Sequence, residues 1–213
     1  MKYKCIIFDC DGVLVDSEAI SAKVFRKMMS ELGCELEQET VLEQITGTSM
    51  KENLKFFTEH LGKDLPEDFE EEFRKRSFQA FKTDLKPVPG VHEIIEKLRI
   101  PFGVASSGPV KKIKLNLTST NLADKFGENI FSSYDIGSWK PEPDIYLHAA
   151  KKMGFSPQQC AVVEDSIPGV KAARAGGFDV YAFSTKLKEE EFKKLGAEVF
   201  YSMEELGSLL NIN

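Results

Sequence analysis

Apolar and polar positions along this chain fall into two textures. Cys5-Ile6-Ile7-Phe8 is a short apolar run that stops at Asp9, the pattern of a parallel strand covered on both faces. After the brief apolar piece Val13-Leu14-Val15, strand signal disappears from about residue 17 to 82. Apolar residues there recur every three or four positions, as in Val24, Phe25, Met28, Met29 and Leu32 before Gly33, and this spacing predicts helices over 38–45, 50–61 and 67–82 as well. Phe56, Phe57, Phe69, Phe73, Phe78 and Phe81 read as the core of this block.

From Lys86-Pro87-Val88-Pro89-Gly90 onward, strand and helix patterns alternate. Predicted strands cover 101–106, 129–134, 160–165, 179–183 and 197–201, with amphipathic helices between them. This alternation predicts an α/β fold built on a doubly wound, Rossmann-like parallel sheet. One strand precedes the helical block and five follow it, so the block reads as an insertion. Residues 1–15 and 86–213 then form the α/β core, and 16–85 form an inserted α-helical domain.

Composition narrows the function classes. A chain of 213 residues with a formal net charge of -6 offers no general attraction to nucleic acid or anionic membrane. No apolar run approaches the ~20 residues that span a bilayer, and Asp9 and Asp11 interrupt the first strand before signal-peptide length. The expectation is a cytoplasmic protein, monomeric, whose partner is a small molecule. Cys5, Cys10, Cys34 and Cys160 show no metal or disulfide spacing, and they read as reduced thiols. His60, His92 and His148 share no ligand spacing.

The chemistry collects at strand ends, where open parallel sheets bind ligands. Asp9-Cys10-Asp11-Gly12 closes the first strand with two acids, and alternation puts Asp9 and Asp11 on one side with Cys10 turned away. Ser106-Ser107-Gly108-Pro109 closes the second strand before a helix, so Ser106 is either a helix cap or an anion contact. Trp139-Lys140-Pro141 offers a lysine ahead of a helix, and Glu164-Asp165-Ser166 supplies a second acid pair. Together they describe a magnesium phosphoryl-transfer site. Asp9, the backbone carbonyl of Asp11 and Asp165 suit a hard cation, with Ser106 and Lys140 left to hold phosphoryl oxygens.

The set Asp9-Cys10-Asp11-Gly12-Val13-Leu14-Val15-Asp16-Ser17-Glu18, Ser106, Lys140-Pro141 and Glu164-Asp165 resembles the haloacid dehalogenase superfamily, in the branch with a helical cap inserted after the first motif. The resemblance spans nearly the whole chain. It implies that Asp9 is a nucleophile forming an aspartyl phosphate and that Asp11 is the general acid and base. It further implies that Ser106, Ser107 and Lys140 bind phosphate, and that Asp9, Asp11, Glu164 and Asp165 hold Mg²⁺. The cap would read the rest of the substrate through Ser17, Thr46, Gly47, Lys51 and Arg74. The implied activity is hydrolysis of a small phosphorylated metabolite, a sugar phosphate or a sugar-acid phosphate such as 6-phosphogluconate.

Three alternatives are weighed against this reading. A β-phosphoglucomutase-type mutase shares the core but carries a cap histidine and arginine where this chain has Ser21 and Met50. A receiver-type phosphate sensor shares an acid pair, hydroxyl and lysine, yet has no helical insertion. A calcium loop would need oxygen ligands where Val13-Leu14-Val15 stands.

Overall fold

A computed structural model describes residues 2–46, 48, 50–184 and 188–212. Its strands are β1 (Cys5–Phe8), β2 (Phe102–Ser106), β3 (Ile130–Ser132), β4 (Cys160–Glu164), β5 (Asp179–Phe183) and β6 (Glu198–Phe200). Helices α1 (Glu18–Glu31), α2 (Gln38–Ile45), α3 (Met50–Leu61) and α4 (Phe69–Asp84) lie between β1 and β2. The remaining helices are α5 (Val91–Lys97), α6 (Val110–Ser119), α7 (Ala123–Phe126), α8 (Ser133–Ile136), α9 (Asp144–Lys152), α10 (Ile167–Ala175), α11 (Glu189–Lys194) and α12 (Met203–Leu209).

The chain divides into two compact units, residues 1–15 with 87–213 and residues 16–86. In the first, six parallel strands pair in the order β3-β2-β1-β4-β5-β6. Successive strands run outward from β1 to one side and then restart beside it on the other. β1 is therefore the switch point of the sheet, and the crevice beyond its carboxyl end is where such sheets bind ligands. All four β1 residues are fully buried, which is why the strand reads as an unbroken apolar run.

In the helical unit, Ala22, Phe25, Met28 and Met29 of α1 pack with Val41, Phe57, Phe69 and Phe73. The Phe25 and Phe73 rings stack with centroids 3.6 Å apart and planes 12° from parallel. Phe56 packs against the edge of this cluster. Phe78 is only partly buried, and Phe81 is buried outside the cluster.

β2, β4 and β6 are each one or two residues shorter than predicted, and β3 departs most. The pattern predicts strand over 129–134, whereas β3 ends at Ser132 and Ser133–Ile136 is helical. Ser132 Oγ accepts the Tyr134 backbone N–H at 3.1 Å, so a local cap turns the chain where hydrophobicity alone would extend it.

Candidate active site

Lys140 lies in the loop before α9, and its ammonium joins the ends of two strands. Nζ donates to Asp9 Oδ1 and to Glu164 Oε1, each at 2.5 Å. The Lys140 side chain is 6% exposed, Asp9 11% and Glu164 0%, so water screens this bridge weakly. Asp9 stays registered on the sheet, since its N–H donates to Val163 O at 2.9 Å. Burial raises the Asp9 carboxyl above the ordinary aspartate value, against the pull of Lys140. For Lys140, burial works against the charge, but Asp9 and Glu164 outweigh it and hold the ammonium well above its usual value.

Glu164 closes β4 with both oxygens engaged. Oε1 accepts from Lys140 and, at 2.9 Å, from Tyr146 Oη. Oε2 accepts from the N–H groups of Asp165 and Ser166 and from Ser166 Oγ at 2.7–2.9 Å. Burial opposes ionisation, yet Lys140 and these donors hold the Glu164 carboxyl below its ordinary value. The first turn of α10 passes close above it. A Cβ at Gly169 would sit 1.7 Å from Glu164 Oε1, so only glycine leaves room for this acid.

Oxygens of Asp9, Glu164 and Asp165 lie within 4.8 Å of one another. Ligands ~2.1 Å from one octahedral centre stand roughly 3–4 Å apart, so small rotations would bring this set onto Mg²⁺. The donor chemistry also fits. Three buried or half-buried carboxylates supply the hard oxygen donors that a dication such as Mg²⁺ takes. Five donors already occupy Glu164, and Asp9 and Asp165 complete the acidic cluster. The Asp11–Gly12 turn abuts this pair, because a Cβ at Gly12, where φ is +81°, would lie 2.1 Å from Asp165 Oδ2.

The remaining core positions surround the same strand ends. Ser106 is buried at the end of β2, and its Oγ accepts the Gly108 N–H at 3.1 Å. It is not the helix cap, a position held by Pro109. Ser107 is half-buried beside it. The Asp11 carboxylate is held by α6, with Lys112 Nζ donating to Oδ2 at 2.8 Å and Asn116 Nδ2 to Oδ1 at 3.1 Å. Burial disfavours the Lys112 ammonium, but Asp11 more than compensates and raises its pKa. Cys10 is fully buried and faces Asn116 at 3.9 Å. Trp139 is 44% exposed and meets Tyr134 edge-on, 5.4 Å between centroids.

In the helical unit, Ser17 is buried at the start of α1. Thr46 follows α2 and donates to Glu18 Oε2 at 3.1 Å and to Leu42 O at 2.7 Å. Lys51 is exposed in the first turn of α3, and Arg74 pairs with Glu70 one turn earlier on α4 at 2.6 Å. Gly47 lies outside the described residues. Arg76, two residues on, is bound to Glu72 and Glu31. Sequence reasoning missed Tyr146, Lys112 and Asn116. Only the four-residue spacing of the last two on a helix hinted at a shared face.

An ammonium bridging two acids, a third acid and a buried hydroxyl collect at the switch point of a parallel sheet, where such sheets bind ligands. Residues 3–177 match the haloacid dehalogenase-like hydrolase family. The chain belongs to that family and is a hydrolytic enzyme of its phosphatase branch. It is 31% identical to the 6-phosphogluconate phosphatase of Escherichia coli K12 over 183 residues, covering 85% of this chain and 83% of that protein. It is 29% identical to a phosphorylated carbohydrates phosphatase of Thermotoga maritima, covering 97% and 98%. The fold superposes on a conserved haloacid dehalogenase-like protein of Agrobacterium tumefaciens with a TM-score of 0.88, 31% identity and 98% of each chain covered. Among the described residues, no helix is long and apolar enough to cross a membrane.

Proposed function

We propose that the chain hydrolyses a small sugar phosphate or sugar-acid phosphate through an aspartyl phosphate on Asp9. The observation that carries this reading is the Lys140 bridge between Asp9 and Glu164 at the sheet's switch point. It sets a buried cation beside a carboxylate exposed just enough to meet substrate. An Asp9 oxygen attacks phosphorus, the ester P–O bond breaks, and the leaving alkoxide takes a proton from Asp11. Water then attacks phosphorus and gives its proton to Asp11, and the bond to Asp9 breaks to release inorganic phosphate. Lys140 and Ser106 hold phosphoryl oxygens as charge shifts among them.

Mg²⁺, held by the carboxylates of Asp9 and Asp165 and the carbonyl of Asp11, would offset charge on the transferring phosphoryl group. Glu164, implied by the resemblance to assist in holding the metal, belongs to the same acidic cluster. With five donors on it, it serves as the fixed counter-ion of Lys140. Recognition of the non-phosphate part is assigned to Ser17, Thr46, Lys51 and Arg74 of the helical unit, with Gly47. Relatives named for 6-phosphogluconate and for phosphorylated carbohydrates support the substrate class. Ser21 and Met50 at the positions of the mutase histidine and arginine favour hydrolysis over transfer to a second sugar hydroxyl.

The test is phosphate release from p-nitrophenyl phosphate and a panel of sugar and sugar-acid phosphates, with and without Mg²⁺. Wild type is expected to turn over and to carry a trapped phosphoryl or fluoroberyllate adduct on Asp9. A folded Asp9→Asn variant with wild-type rates would overturn the reading. Efficient glucose 6-phosphate formation from β-glucose 1-phosphate and a bisphosphate primer would favour the mutase.

A further inference from the structure

The Asp11 carboxylate is gripped at both oxygens by one helix. Lys112 and Asn116 stand one turn apart on α6, so their side chains share a face, and each donates to a different oxygen of Asp11. The Lys112 stem reaches there past Gly108, where a Cβ would lie 3.4 Å from Lys112 Cδ and 3.5 Å from Ser106 Oγ. The same short loop thus supports both the hydroxyl and the lysine.

Asn116 carries a second, independent sign. It is fully buried, and its Oδ1 has no hydrogen-bond partner. A buried orphan acceptor costs stability, and an apolar residue of similar size would avoid that cost. The amide therefore stands there for what its Nδ2 holds, which is Asp11.

We propose that Lys112 and Asn116 are positioning residues that fix the Asp11 carboxylate for taking the proton of the water that hydrolyses the Asp9 phosphate. This rests on the proposed hydrolytic reading and extends it to a helix outside the strand-end motifs. A carboxylate oxygen carries two lone pairs, so one that accepts from a side chain can also take a water proton. The two donors set where that oxygen stands relative to Asp9, one residue pair back along the chain. Their contribution falls on the step in which water attacks, when the carboxylate acts as a base. Release of an acidic phenol needs little proton donation, so the first step with an aryl phosphate is spared.

The experiment is rapid-quench kinetics of the full-length chain with p-nitrophenyl phosphate, comparing wild type, Lys112→Met, Lys112→Arg and Asn116→Ser. Lys112→Met and Asn116→Ser are expected to release one equivalent of nitrophenol per enzyme in a burst. Steady-state kcat should then be at least tenfold lower, while kcat/KM stays within threefold of wild type. Lys112→Arg should restore kcat to within threefold. Parallel loss of kcat and kcat/KM without a burst, or an unchanged kcat, would overturn the inference. If Lys112→Met does not fold, by circular dichroism and thermal melting, Asn116→Ser alone decides by the same criteria. Asp9→Asn in the same assay separates the two levels. Its retaining wild-type turnover sinks the hydrolytic reading itself, whereas its inactivity alongside parallel losses in the α6 variants sinks only the role of Lys112 and Asn116.

Discussion

Tyr146 Oη donates to Glu164 Oε1 at 2.9 Å, the oxygen that also accepts from Lys140, and the Tyr146 ring lies 5.0 Å from Lys140 Nζ. One buried phenol therefore touches both members of the central ion pair. Tyr146→Phe keeps the ring and removes only the donor. The bond reaches a charged, fully buried group, so its loss should cost about 1.5–3 kcal/mol in urea unfolding. Glu164, with one donor fewer, would draw Lys140 more strongly, and the inhibition constant for inorganic phosphate should rise several-fold. A variant matching wild type in both stability and phosphate affinity would refute this account of the phenol.

Gly12 and Gly33 share a left-handed backbone, with φ of +81° and +86°, but differ in surroundings. A Cβ at Gly33 meets nothing within 4 Å, whereas one at Gly12 collides with Asp165 Oδ2 at 2.1 Å. Either change to Ala should cost about 1 kcal/mol in backbone strain. Only Gly12→Ala displaces a proposed metal carboxylate. It should raise the Mg²⁺ concentration for half-maximal activity at least tenfold, and Mg²⁺ should protect it less from thermal melting. Equal Mg²⁺ responses in the two variants would show that Asp165 does not hold the cation.

The contrast between these glycines and α6 shows what a sequence can disclose. Periodicity is a local property, so α2, α3 and β5 emerge with their observed ends from spacing alone. Asp9, Ser106 and Glu164 are legible because a polar residue that ends an apolar run marks a strand terminus. Lys140 bears no such mark, and its burial follows from meeting two carboxylates from other strands. Lys112, Asn116 and Tyr146 look like ordinary helix residues until the packing of α6 and α9 against the sheet brings them to an acid. The helical turn at Ser133–Ile136 hides for a similar reason, since one hydroxyl, Ser132 Oγ, decides it.

Phe25 anchors the helical unit. It is 1% exposed and lies against Phe57, Phe69 and Phe73, with centroids 4.6, 6.3 and 3.6 Å away. Truncation to Ala leaves a cavity that neighbouring rings cannot refill without leaving their rotamers, a loss of about 3–5 kcal/mol. Because the two units have separate cores, hydrogen exchange should speed up across α1–α4 in Phe25→Ala while amides of β1 and β4 stay protected. Uniform loss of protection across both units would show that they unfold as one.

Tyr3, just before β1, donates to Asp179 Oδ2 at 2.9 Å, and its hydroxyl lies 3.1 Å from that of Tyr181. Burial first, and then the bond to Asp179, push the Tyr3 phenol up to about 12, against an opposing effect of the Tyr181 contact. The folded state thus favours the protonated phenol. Its contribution to stability is complete below the ordinary tyrosine value near 10 and is lost as pH rises from there through about 12. Tyr181 is raised as well, chiefly by burial, so Tyr3→Phe should flatten the alkaline fall in melting temperature without abolishing it. Tyrosinate absorbance near 295 nm should show one fewer late-titrating phenol in the variant. Wild type and Tyr3→Phe losing stability in parallel between pH 10 and 12 would show that the raised phenol does not couple to folding.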